Sequence, residues 1–217
     1  PDGRRIEQVD FERHVQALLG KHGCNSGACH GSLQGRGGLF LSLFGYSAEK
    51  DIAALTRDAR GRRVSIGEPT QSLMLLKATA QVPHGGDVRF SPQSWQHDLI
   101  RAWIASGADW RPGAGVVSRI EVQPSEFVFT NPGETKQLKV IVHFADKTQE
   151  DMTLLSDFRA YDDFVASVSP TGEVKSLRPG DTPILVTYRG HIQAMRVFTP
   201  VTLAKDAAYP KVPEVNY

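Results

Sequence analysis

Two cysteines occur in the 217-residue chain, Cys24 and Cys29, and a histidine, His30, follows the second directly. The segment Cys24-Asn25-Ser26-Gly27-Ala28-Cys29-His30 is a C-x4-C-H arrangement. Covalent haem attachment needs two nearby thiols for the two vinyl groups on one porphyrin edge. It also needs an imidazole directly after the second thiol, to reach the iron from one face. The spacing is two residues longer than the usual C-x-x-C-H, and Ser26-Gly27-Ala28 is small enough for the added residues to bulge outward. Three other chemistries draw on the same residues. An exported protein could close the pair as a small-loop disulfide. A zinc site could use Cys24, Cys29 and His30, although a fourth ligand from His22 would crowd one loop. Free core thiols are the third reading, against which the polar and glycine neighbours offer no apolar face. That both cysteines are used and none is left over favours haem.

The elements around the motif read as helical. Asp10 can cap a helix through Leu19 that places Phe11, Val15 and Leu18 on one face and stops at Gly20. Ser47 opens a helix carrying Ile52 and Leu55. Pro69-Thr70 opens another, Gln71 to about Ala80, with Leu73, Met74, Leu76 and Lys77. Ser91-Pro92 starts a last helix ending at Ser106-Gly107, with Trp95, Leu99, Trp103 and Ile104 in one apolar arc. After the Pro/Gly-rich Arg111–Gly115 the period changes to two. Leu138, Val140, Val142 and Phe144 alternate with polar or outward positions, as do Ile184, Val186 and Tyr188, followed by Ile192, Ala194 and Arg196. Turn signals separate these runs, which suggests a β-sandwich. The expected fold class is thus two domains, all-α followed by all-β. The boundaries are a haem domain over 1–112, a linker over 113–116, a sandwich over 117–203 and a tail over 204–217.

A net charge of +1 with signs interspersed argues against nucleic acid or an anionic membrane surface as partner. No apolar run approaches the roughly 20 residues of a transmembrane helix. The chain opens at Pro1 without a leader pattern, and reads as a mature form or an excised piece.

Residues 8 to 111 resemble the cytochrome c-like domains found at the front of large planctomycete proteins. The likeness rests on Lys21-His22-Gly23-Cys24 through Cys29-His30-Gly31, the glycine-rich segment before Leu39, Gly67-Glu68-Pro69-Thr70-Gln71-Ser72-Leu73 and Trp103-Ile104-Ala105-Ser106-Gly107-Ala108. Residues 117 to 202 resemble bacterial Ig-like domains of group 2, through Ile120–Pro124, Gly133–Leu138, Phe144–Thr148, Asp151-Met152-Thr153 and Val165–Val168 with Gly172. The closing Tyr209–Tyr217 resembles the lead-in to further domains in such proteins. The resemblance implies an N-terminal part of a larger multidomain, exported or periplasmic protein. It also implies one covalent haem c, held by Cys24 and Cys29 with His30 as proximal iron ligand.

Related domains place a Met-Pro-Pro-like ligand loop before the last helix, where this chain reads Val82-Pro83-His84-Gly85-Gly86. The expected distal ligand is therefore His84, with Met74 as rival and an open sixth site as the third case. Arg89 and His97 are candidates for propionate contacts. His14 and His22 read as solvated, and His143 and His191 have no partners suggesting a metal. The expected function is one-electron transfer rather than catalysis, with a redox partner protein or a downstream domain as partner and a dimer left open. The alternatives are a haem sensor or catalytic site with a displaceable sixth ligand, and a disulfide-stapled interaction protein without haem. The β domain reads as a spacer or docking module.

Overall fold

The computed structural model describes residues 8–201, so the expected tail over 204–217 lies outside it. Within that range an N-terminal region of a few short helices precedes a C-terminal region of antiparallel and mixed β-sheets. No described helix is long and apolar enough to cross a membrane.

Asp10 starts the helical region as expected, its carboxylate accepting from the Arg13 amide at 3.0 Å. The first turn, Phe11–Val15, is π-helical, and α1 continues over Gln16–Lys21. Every residue from Asp10 to Leu19 is buried. Phe11 packs on Trp103, with ring centres 5.4 Å apart. The opposite face carries Glu12, Arg13, His14 and Gln16. A helix buried all round must find partners for such a face, and the sheet region supplies them together with Asp51, Trp110 and the Pro/Gly segment. His14 is therefore not the solvated residue expected from the sequence. It is 1% exposed, Nδ1 accepts from the Asp10 amide at 2.8 Å, and Nε2 meets Glu150 Oε2 at 2.8 Å. Nothing local to residue 14 announces a partner 136 positions away.

Three further helices complete the region: α2 (Ala48–Thr56), α3 (Leu73–Ala78) and α4 (Trp95–Ala105). Ser94 caps α4 by accepting from the His97 amide. Leu99, Trp103 and Ile104 are buried as expected, but Trp95, in the first turn, is 36% exposed.

Ten strands follow: β1 (Val117–Gln123), β2 (Glu126–Val128), β3 (Thr135–Gln137), β4 (Lys139–Phe144), β5 (Gln149–Asp151), β6 (Asp157–Ala160), β7 (Ala166–Val168), β8 (Glu173–Ser176), β9 (Gly180–Tyr188) and β10 (His191–Thr199). They form sheets in the orders β1-β4-β5, β2-β10-β9-β6 and β3-β8-β7, all antiparallel except the parallel pair β2–β10. The inward sets Val140, Val142, Phe144 and Ile184, Val186, Tyr188 are buried as the alternation predicted. In β10 the phase is the opposite of that expected. Met195, Val197 and Thr199 are buried, and Ile192 is 67% exposed. The two-residue turn Arg189-Gly190 pairs Ile192 with Thr187 and Met195 with Ile184. Directly paired residues share a face, so Ile192 must follow the outward Thr187.

The Pro/Gly segment between the regions is pinned to α1 and its π turn. Glu12 accepts from the amides of Gly113 and Gly115, each at 3.1 Å, and from Trp110 Nε1 at 2.7 Å. A Cβ on Gly115 would lie 2.4 Å from Glu12 Cβ, so only glycine permits this approach. Arg13 spans the seam. It donates to Ala114 O, Thr148 Oγ1, Glu150 Oε1 and Asp146 Oδ2 and lies over the Phe144 ring.

These contacts set a pH dependence. Thr148, and then Arg13, hold the Asp146 carboxyl down at about 2. Burial opposes ionisation of Glu150, but its bonds to His14 and Arg13 outweigh that and keep it below its ordinary 4.5. A carboxyl whose pKa is lower in the folded state stabilises fully above its unfolded pKa. That contribution fades as the pH falls through the folded value. Urea midpoints measured against pH should therefore hold above about pH 4.5 and decline towards about pH 2. Glu150→Gln should make that decline shallower; an unchanged pH profile in this variant would show that the seam does not govern it.

Candidate functional site

The cysteine segment folds as a compact turn at the end of α1. The Cys24 amide donates to Leu19 O at 2.8 Å, and the Cys29 and Gly31 amides both donate to Ser26 O at 3.0 Å. The His30 amide closes the turn onto Cys24 O at 2.9 Å. The two added residues of the C-x4-C spacer are absorbed here, with Gly27 and Ala28 exposed. Gly31 passes so close to the turn that a Cβ would lie 2.1 Å from Asn25 O. Both thiols are free. Burial, acting against the nearby Arg89 charge, pushes the Cys24 thiol up to about 11. A thiol so held is a poor partner for thiol–disulfide exchange, which proceeds through thiolate.

Cys24, Cys29 and His30 line a cavity of about 620 Å³, within the roughly 300–1,000 Å³ range of ligand sites. Its apolar walls include Leu19, Leu41, Leu55, Phe90 and Ile100. His84, Met74 and Arg89 also line it, so the structure gathers the expected site residues in one place. His97 is not among the lining residues. It is buried on α4 with Nδ1 unpartnered, and the expected rim position is not found. His22 is half-buried, edge-on to Phe90, with Nε2 likewise buried and unpartnered, rather than solvated. Among the described residues no group of three or more His, Cys, Asp or Glu side chains converges as a metal cluster.

The rings of His30 and His84 lie nearly parallel, 13° apart, with centres separated by 6.2 Å. His30 Nδ1 lies 3.2 Å from both Arg36 O and Leu39 O, and His84 Nδ1 lies 3.0 Å from Asp87 O. In a neutral imidazole, a ring nitrogen facing a carbonyl carries the proton, which leaves Nε2 with the free lone pair. Burial lowers the His30 pKa, opposed by its two carbonyl bonds, which favours the neutral ring that a metal ligand must be. Two imidazoles bonded through Nε2 to one metal ion, at the usual distance of about 2.0–2.1 Å, would have ring centres roughly 6.2–6.4 Å apart. The observed distance between the ring centres is of that length.

The His84 loop is held from both sides. Lys77 Nζ donates to Pro83 O at 2.5 Å, the Gln81 amide to Leu76 O, and the Arg89 amide to Ala78 O at 2.8 Å. Met74, on α3, is a wall residue of the cavity.

The sequence pattern did not single out Arg63. It is 6% exposed and lines the cavity, donating to Ala54 O at 2.6 Å and to Gly38 O, without a carboxylate partner among the described residues. Arg36, Arg62, Lys77 and Arg89 line the same space, and no Asp or Glu does. A buried guanidinium without a counter-charge calls for an anionic group on whatever fills the cavity. Haem, an apolar ring with two propionates, has that chemistry. Arg62-Arg63 carries no spacing signal, because what distinguishes it is the absence of a partner.

No protein-family model matches the chain, and no curated protein matches it.

Proposed function

We propose that this chain is a c-type cytochrome module, with one haem c attached through Cys24 and Cys29 and ligated by His30 and His84. The observation that carries this reading is the pair of nearly parallel imidazoles with centres 6.2 Å apart in a cavity that two free thiols also line. In this reading the helical region is a cytochrome c-like domain and the sheet region an Ig-like sandwich of the group 2 type. When bound, the haem supplies a one-electron couple.

The residues do the rest. With haem bound, His30 and His84 would hold its iron, their orientation set by carbonyl bonds to Nδ1. Arg63 and Arg89 offer donors for propionates, and the leucine walls exclude water. Two imidazole ligands would lower the reduction potential relative to a His/Met site. Attachment of this kind takes place outside the cytoplasm, so the protein is exported, with a redox protein or a downstream domain as partner. Produced with a c-haem maturation system, the chain should give a low-spin spectrum in both redox states, without the weak near-infrared band of sulfur-ligated ferric haem. Its reduced form should not bind CO. A second reading, a sensor with a displaceable sixth ligand, draws support from the exposure of Pro83, Gly85 and Asp87 around His84. Rapid CO binding by the reduced wild-type protein would select it instead.

A further inference from the structure

The helix that ends three residues before Cys24 is gripped by the sheet region along its length. At its start, Arg13 and His14 reach Asp146, Thr148 and Glu150 around β5, and Tyr188 Oη donates to Arg13 O at 2.7 Å. In its middle, Arg189 donates to Gln16 Oε1 at 2.8 Å. At its end, Lys21 Nζ donates to Ser156 O at 2.6 Å and to Pro170 O at 2.7 Å.

Rigid links carry that grip into the cavity. Leu19 lines it, Leu19 O accepts from the Cys24 amide, and Cys24 O accepts from the His30 amide. A helix this short is marginal in water by itself. Part of its polar face is satisfied within the first 115 residues, by Asp51 and the Pro/Gly segment, but Arg13 Nη1 and Nη2, His14 Nε2, Gln16 Oε1 and Lys21 find their partners in the sheet region. We infer that the sheet region is a positioning clamp for the cysteine loop: by fixing α1 and its π turn at both ends it presets Cys24 and His30 before the cofactor is attached. The inference rests on the haem reading above. It gives the sheets a part in the site rather than the role of a spacer, with Lys21, Arg13 and His14 as positioning residues.

The test compares full-length chains made with c-haem maturation. Lys21→Met keeps most of the side-chain length and removes the donor, Lys21→Arg restores a donor, and Lys175→Met on the exposed face of β8 is the control. The share of haem attached by two thioethers rather than one is read by mass spectrometry. It should fall severalfold in Lys21→Met, recover in Lys21→Arg and stay unchanged in Lys175→Met. In haem-free wild-type chain the Cys24 and His30 amides should exchange slowly with solvent. Lys21→Met should speed that exchange at least tenfold. Glu150→Gln, a milder change at the other end of the helix, should shift both readouts in the same direction, and it serves if Lys21→Met does not fold. Lower melting temperatures with attachment and amide protection both unchanged would overturn the clamp. Wild-type chain without covalent haem would sink the haem reading alone, and the clamp would then stand or fall on the exchange rates.

Discussion

His84→Ala should convert a low-spin, CO-inert haem into a high-spin one that binds CO on reduction, with the covalent attachment retained. The basis is geometric. The His84 and His30 rings are nearly parallel, their centres separated by the length that two imidazoles on one iron would span, and the His84 loop is fastened through Lys77, Gln81 and Arg89. Removing the imidazole leaves the proximal side untouched, because His30 is fixed by the Arg36 and Leu39 carbonyls. Loss of one strong-field ligand changes the spin state outright, so the effect is a change of spectral class. Met74→Leu, nearly volume-conserving on the cavity wall, should leave the spectrum as it is and cost about 1 kcal/mol or less. If Met74→Leu altered the ligation and His84→Ala did not, His84 would be only a loop residue and the bis-histidine assignment would be wrong.

Replacing both cysteines should have the other large effect. With Cys24→Ala and Cys29→Ala combined, haem should be lost on acid-acetone extraction. Either change alone should leave one thioether and a haem that remains attached. Loss of attachment also removes a large apolar group from the core of a region of only about 100 residues. Binding energy that stabilises only the folded state is lost with it. The doubly substituted chain should therefore melt well below the wild-type holoprotein, and by calorimetry its transition should resemble that of the haem-free wild-type chain. A doubly substituted chain that kept its haem through denaturation would show that the thiols are not the attachment points.

The parts of the site legible in the sequence were those fixed by local spacing. Cys24, Cys29 and His30 lie within seven residues, and the Pro-His-Gly-Gly run marked a loop able to bring His84 close to a ligand. Helix starts at Asp10 and Ser47 and the inward phase of β4 and β9 were legible for the same reason, whereas the last helix starts at Ser94 rather than at Ser91-Pro92. What escaped depends on partners far along the chain. The polar face of the first helix looks solvent-directed until residues 146 to 189 fold over it, which is why His14 was misplaced. The phase of β10 was lost because apolar Ile192 suggested an inward position, while the tight turn before it dictated an outward one. Arg63 was invisible because its significance lies in an unmet charge, which composition does not record.

The most direct test of the central claim is denaturing electrophoresis of the wild-type chain, produced with c-haem maturation and export, followed by a stain for haem peroxidase activity. Covalent attachment through Cys24 and Cys29 predicts that the stain travels with the polypeptide band and resists acid-acetone extraction. A colourless preparation, or haem that leaves the polypeptide freely on extraction, would contradict it.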